Sequence, residues 1–164
     1  MHMKTIGVLQ IRRYQDSDYN TVWNLHISGL EQFDVDLGIS SLEDDLRDIQ
    51  NHYIKNGGEF LVGLHRGKIV CMGAFRRKSA SLAEIKRMRV HQDYQKSGLG
   101  QIMLTTLEAE ASRLGYTELC LDTTAQMLPA RKLYEKNGYT ETRRGQIAGL
   151  EIVYYYKKLA RNKG

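Results

Sequence analysis

The stretch Gln95-Lys96-Ser97-Gly98-Leu99-Gly100 stands between a strand-like run, Ala83 to Val90, and a long helical pattern that begins at Leu99. Glycines at 98 and 100 let the backbone approach a ligand closely, and the helix that follows aims unpaired N–H groups and the positive end of its dipole at whatever sits there. This is the chemistry of an anion cradle, well suited to a diphosphate. A P-loop would need Gly-Lys-Ser or Gly-Lys-Thr at the end of the loop, and Gly100 is followed by Gln101-Ile102. A dinucleotide fingerprint would place Gly or Ala where Met103 stands; Asp122 lies at a tempting distance beyond, yet no second βαβ unit follows. What remains is Gln-x-x-Gly-x-Gly at the junction of a strand and a long helix.

The chain that must hold this loop has 164 residues, of which 41% are hydrophobic, enough for one core and a single domain over 1–164. Its net charge of +5 is spread along the sequence and not gathered into a run, so a phosphate-bearing small molecule explains it as well as a nucleic acid does. Cys71 and Cys120 lie in apolar strand-like runs without a CxxC pair, which reads as buried free thiols in a reducing cytosol. The five histidines show no metal spacing, and no metal is expected. No apolar run approaches the ~18 residues of a spanning helix and no signal-peptide pattern opens the chain, so the protein reads as cytoplasmic with no membrane partner. Met1-His2-Met3 reads as a cloning remnant and 161–164 as a frayed tail.

In order, Ile6 to Arg13 reads as a strand, and Asp16 or Ser17 caps an amphipathic helix carrying Val22, Trp23, Leu25, His26 and Leu30. The segment from Glu31 to Gly38 reads as a loop. Ser40 with Glu43, or Ser41 with Asp44, opens one helix with Leu42, Leu46, Ile49 and Tyr53 on a single face, ended by Asn56-Gly57-Gly58. Phe60 to Leu64 and Lys68 to Phe75 form a hairpin, and Leu82 to Val90 continues the meander into the Gly-rich loop. Leu99, Ile102, Met103, Leu107, Ala111 and Leu114 recur at helical spacing up to Gly115. Thr117 to Leu121 is then a strand parallel to Ala83–Val90, because a crossover helix returns the chain in the same direction. Pro129 opens a short helix through Lys136, and Tyr139 to Arg143 and Glu151 to Leu159 are two last strands.

Four stretches in this order carry a resemblance: Ala83-Glu84-Ile85-Lys86-Arg87-Met88-Arg89-Val90, Gln95 to Gly100, Leu119-Cys120-Leu121-Asp122, and Leu133-Tyr134-Glu135-Lys136-Asn137-Gly138-Tyr139. Together they resemble the GNAT superfamily of acyl-CoA-dependent N-acyltransferases, over nearly the whole chain. The resemblance implies an α/β (α+β) fold, a mixed and mostly antiparallel twisted sheet with a central parallel pair that splays apart, flanked by about four helices. It implies acetyl-CoA as the cofactor, with the pantetheine arm entering the slot between the splayed strands, and direct transfer of acetyl to a primary amine. Where many members carry Asn, three residues before Ala130, this chain carries Met127, which sets a polar cofactor contact there in question.

The resemblance further implies that the backbone of Lys96, Ser97, Gly98, Leu99, Gly100 and Gln101 binds the diphosphate, beside Gln95, and that Met88, Arg89 and Val90 present backbone to pantetheine. Tyr134 would protonate the departing thiolate, its phenol having a basicity comparable to that of the thiol; the plain alternative is a core aromatic. Glu84 would accept the proton of the attacking ammonium, with Asp122 a second candidate, against a plain reading of Glu84 as paired with Lys86 or a cross-strand cation. Glu31, Asp34 and Asp36 would border the acceptor and favour a cationic amine, or form an ordinary solvated loop. Lys86, Arg87 and Arg89 split between two faces of an alternating strand with no aromatic platform beside them, which speaks against a nucleic-acid partner. The acceptor stays open among amino acid, polyamine, aminoglycoside, peptide N-terminus and protein lysine; homodimers are common in the family. A non-catalytic acyl-CoA-binding or sensing module is the alternative to an enzyme.

Overall fold

Arg66 and Gly67, both at positive φ (51° and 77°), close a two-residue turn between β2 (Glu59–His65) and β3 (Lys68–Arg77), the turn geometry that matches the twist of a hairpin. β4 (Leu82–Val90) pairs antiparallel with β3, and α4 (Leu99–Arg113) then carries the chain back over the sheet, so that β5 (Glu118–Thr124) lies parallel to β4. The computed structural model describes residues 8–32 and 43–160. With β1 (Gln10–Arg13), β6 (Thr140–Ile147) and β7 (Leu150–Lys158) the strands form one sheet in the order β1-β2-β3-β4-β5-β7-β6, antiparallel at every neighbouring pair except β4 and β5. The expected mixed sheet with one parallel pair is present.

Each sheet face has its own core. On one, Leu99, Met103, Leu104, Leu107 and Ala111 of α4 cover Phe75, Ala83, Ile85, Leu119 and Leu121. Ile102 and Leu114, expected on that buried stripe, are exposed at the margins of the helix. On the other, α1 (Tyr19–Gln32) buries Val22 and Leu25 with Leu46, Ile49, Tyr53, Phe60 and Met72. α5 (Leu128–Lys136) begins with Pro129 in its first turn, as expected, and brings Tyr134 into the α4-side core.

The single helix expected after Ser40 is broken. α2 (Asp44–Arg47) and α3 (Ile49–His52) are separated by Asp48 at φ −149°, whose carboxylate accepts the Asn51 N–H at 3.4 Å and the Asn51 Nδ2 at 2.8 Å. An Asp side chain that caps a new helix start competes with continuing the old one. Leu46, Ile49 and Tyr53 are buried all the same, and the break makes five helices among the described residues. Asp34, Asp36, the Ser40 and Ser41 caps, the first residues of the expected opening strand and the 161–164 tail lie outside the described residues.

α2 is tied to β4 by charge. Arg87 Nε and Nη2 donate to Asp45 Oδ2 and Oδ1 at 2.9 and 2.6 Å, and the fully buried Tyr53 donates to Oδ2 at 2.5 Å. Burial raises the Asp45 pKa, but the Arg87 bonds and charge, with the Tyr53 hydroxyl, outweigh it and hold the carboxyl at about 2. Because the folded pKa lies below the unfolded one, this pair stabilises the fold above about pH 4 and its contribution is lost as pH falls toward 2. Asp45→Asn takes away the carboxylate that the buried Arg87 cation bonds and is expected to cost about 3 kcal/mol in urea unfolding at pH 7. The deficit should shrink at pH 3; a pH-independent deficit would mean that the side chain acts through packing alone.

Candidate active site

The parallel pairing of β4 and β5 lasts three residues, Leu82 to Glu84 against Glu118 to Cys120. Beyond it β4 follows β3 as far as Val90 while β5 follows β7 as far as Thr124, so the two strands part and a wedge opens inside the sheet. At the same level β4 bulges: Met72 pairs with Arg89 and Ala74 with Lys86, leaving Arg87 and Met88 opposite Gly73 alone. Arg87 takes φ 59°, left-handed backbone that side chains rarely adopt. Gly73 fits the bulge because a β-carbon there would lie within 3 Å of Met88 Sδ, Leu107 Cδ1 and Met103 Cγ.

The bulge changes which residues share a face. Met88 and Val90 pack toward α4, whereas Arg87 reaches Asp45 of α2 and Arg89 lies along Gly29 of α1. The expected division of Lys86, Arg87 and Arg89 between two faces is therefore corrected: the extra residue resets the alternation and puts Arg87 and Arg89 on the side that Glu84 and Lys86 occupy.

A cavity of about 380 Å³ runs from the wedge to the start of α4. Met88, Arg89, Val90, Gln95, Lys96, Gly98, Leu99, Gly100 and Gln101 line it, with Tyr134 and Met127; of the loop residues, Ser97 is the one that does not. Lys96 and Gly98 sit at φ 61° and 87°, and no side chain caps the α4 N-terminus, so its first N–H groups are left to a ligand. A β-carbon at Gly98 would meet nothing within 4 Å. Side chains in the loop hold the loop itself. Ser97 Oγ donates to the Tyr94 carbonyl, Gln95 Nε2 donates to the Val90 carbonyl at 3.2 Å, and Gln101 exchanges two 2.8 Å bonds with Asn137, locking the first turn of α4 to the end of α5. Met127 is buried in the cavity wall, its sulfur accepting from Thr123 Oγ1 at 3.4 Å.

Tyr134 is 6% exposed and packs on Tyr139 and Tyr155 at ring distances of 5.7 and 6.2 Å. The ring is core, as the plain reading has it, and it also lines the cavity. Burial pushes the phenol up to about 12, with Arg89 pulling it down and Asp122 pushing it up, so the hydroxyl is protonated at neutral pH. Glu84 is buried and accepts from Arg76 Nε at 2.7 Å, the cross-strand cation of the plain reading. Asp122, at the opening between the strands, keeps solvent exposure, yet desolvation raises its pKa, opposed by Lys86 and reinforced by Glu84. Desolvation lowers the Lys86 pKa. Cys120, expected buried, is half-buried at the last paired step opposite Glu84, and desolvation pushes its thiol up to about 11. Glu31 is exposed near the end of α1 and does not line the cavity.

Sequence reasoning missed the Arg87–Asp45–Tyr53 network, the Gln101–Asn137 clamp, and the contact of the buried His26 with Glu43, Nε2 to Oε1 at 3.0 Å. Among the described residues no cluster of three His, Cys, Asp or Glu side chains could hold a metal ion. No helix there is long and apolar enough to cross a membrane.

A sequence profile described as the Acetyltransferase (GNAT) family matches residues 6–139. The chain belongs to the GNAT family. The GNAT chain is similar in structure to an acetyltransferase of that family from Staphylococcus aureus Mu50, with a TM-score of 0.85, 20% identity, and coverage of 93% of this chain and 100% of that one. It is also similar to YncA from Salmonella typhimurium, whose structure was determined with its cofactor acetyl-CoA: TM-score 0.74, 17% identity, 95% of this chain and 96% of that one. In sequence it is 32% identical over 101 residues to N-acetylaspartate synthetase of Xenopus tropicalis, covering 60% of this chain; the match spans 37% of that relative's length.

Glu84 and Arg76 offer a local check on this geometry. Arg76→Met should leave the Glu84 carboxylate buried and unpaired, costing about 3 kcal/mol of stability, and adding Glu84→Gln should recover part of that loss. Strictly additive effects in urea unfolding would show that the ion pair is not what holds Glu84.

Proposed function

We propose that this GNAT chain moves the acetyl group of acetyl-CoA to a primary amine by direct attack, both substrates being held together in the wedge. The observation that carries the reading is the placement of Tyr134, a protonated phenol in the wall of a cavity whose other end is the uncapped start of α4. Acetyl-CoA supplies a thioester whose carbonyl carbon the amine attacks, with CoA thiolate leaving. The cradle fits its diphosphate: free first-turn N–H groups, an open Gly98 and Lys96 at the cavity edge. The unpaired length of β4 from Ile85 to Val90 fits an extended arm, since strand N–H and C=O groups without a neighbour accept one. That YncA was determined with acetyl-CoA supports the assignment.

Positioning in the wedge supplies most of the rate, and a backbone N–H near Met88, at the bulge, polarises the thioester carbonyl. Tyr134 Oη gives its proton to the departing sulfur; it has no protein hydrogen bond to break first among the described residues. For the ammonium proton, Glu84 and Asp122 are not equivalent. Neither lines the cavity; Glu84 is committed to Arg76, while Asp122 is exposed, makes no ion pair among the described residues and has a raised pKa, which makes it the freer proton acceptor. The reading therefore gives the base role to Asp122 and leaves Glu84 to set the charge around it.

Release of CoA thiol on incubation with acetyl-CoA and a panel of amines tests the whole reading; tight CoA binding with no release for any amine would instead indicate a binding or sensing module. Tyr134→Phe is expected to lower kcat by about 10²-fold with little change in acetyl-CoA affinity. An unchanged kcat would remove Tyr134 from the mechanism. Asp122→Asn should lower kcat/KM about 10²-fold near pH 7, with partial recovery at high pH where free amine accumulates. Glu84→Gln should give a smaller loss independent of pH, and the opposite pattern would return the base role to Glu84.

A further inference from the structure

The transfer chemistry leaves Arg89 unused. Its side chain lies so close along α1 that a β-carbon at Gly29 would fall 2.6 Å from Arg89 Cδ and 2.8 Å from Nε. Arg89 Nη1 donates to the Met88 carbonyl at 2.9 Å, but Nε is shut off from solvent with no hydrogen-bond partner among the described residues. The neighbouring arginines on this face are matched, Arg87 by Asp45 and Arg76 by Glu84. Around Arg89 the interacting groups are Arg87, of like charge, His26 and the neutral Tyr134. A guanidinium withdrawn from water beside another cation is costly until an anion completes it, and its planar fork matches a carboxylate.

The diphosphate is not that anion. Arg89 leaves β4 toward α1, whereas the cradle lies on the other face, where a β-carbon at Gly100 would sit 3.9 Å from Val90 Cγ2. Arg89 instead meets the cavity beside Tyr134, the residue to which the transferase reading gives the departing thiolate.

We propose that Arg89 is the receptor for a carboxylate on the acceptor, so that the amine substrate is a small zwitterion such as a free amino acid and not a polyamine or an aminoglycoside. This rests on the transferase reading above. Gly29 is then a specificity element as well, because any side chain there would displace the Arg89 stem. The acidic rim expected from Glu31, Asp34 and Asp36 would select the opposite charge, and of those residues the described Glu31 does not line the cavity.

The test is kinetic and paired. Free amino acids are assayed for acetylation, each beside its carboxamide and its decarboxylated amine, with the native protein, Arg89→Gln and Arg89→Lys, and acetyl-CoA affinity is measured for all three proteins. The native protein should prefer the carboxylate member by about 10²-fold in kcat/KM, chiefly through KM. The preference should collapse toward unity in Arg89→Gln and survive in part in Arg89→Lys. Equal use of carboxylate and carboxamide by the native protein would overturn the assignment while leaving the transferase reading intact. A loss of acetyl-CoA affinity in Arg89→Gln with the preference unchanged would overturn it too, by assigning the guanidinium to the cofactor. If no amine in any pair is acetylated, the transferase reading falls and this assignment with it.

Discussion

The Arg87–Asp45 pair is the interaction on which the site geometry depends. An arginine in left-handed backbone costs on the order of 1 kcal/mol, and its burial costs more, so the bulge in β4 persists only where something offsets both. Asp45 does so with two bonds to the guanidinium, backed by the Tyr53 hydroxyl. Because the bulge adds one residue to β4 and none to β3, everything after it is turned over: Met88 and Val90 meet the α4 core, and Arg89 faces α1. One ion pair thus fixes the pitch of the strand that floors the cavity and anchors α2 to the sheet.

The same strand pair separates the environments of two carboxylates. Glu84 sits at the last paired step of β4 and β5, deep enough to be buried and near enough to β3 to be claimed by Arg76. Asp122 is two residues further along β5, past the point of divergence, where the cations on β4 are too distant to bond it and the surrounding protein still removes part of its hydration. Two residues of divergence give one carboxylate a structural partner and leave the other with a raised proton affinity, an instance of environment and not residue type separating roles.

How much of this could be read from the residues follows from the range of each interaction. The loop-to-helix junction at Gly98 was legible because glycine placement and apolar spacing are local signals, and the parallel pair followed from a crossover helix. The break at Asp48 was not, because a helix that stops and restarts through an Asp cap buries the same Leu46, Ile49 and Tyr53 as an unbroken one. The half-burial of Cys120 was not legible either, because an apolar neighbourhood in sequence does not report what covers each side of β5. The bulge did leave a trace: Glu84 and Lys86 alternate, Arg87 and Arg89 alternate, and the two pairs are out of phase by one residue. An uninterrupted strand that divides the pairs between two faces fits that pattern as well, so the phase shift did not by itself reveal the inserted residue seen opposite Gly73. The Arg87–Asp45 contact spans 42 positions and had no local signature.

The sheet has open backbone in two kinds of place, and the chain treats them differently. One outer edge, β6, is guarded by Glu141, Arg143 and Arg144, exposed side chains whose charge discourages another chain from adding a strand. The inner edge of β4, from Ile85 to Val90, faces the wedge, and Met88 and Val90 there are backed by core side chains. Placement inside the sheet takes over the guarding that charge performs outside: this edge lies in the wall of a cavity and not along the rim of the sheet. The fold thereby keeps a strand vacancy in its interior without the aggregation hazard that an equally bare edge would carry at the surface.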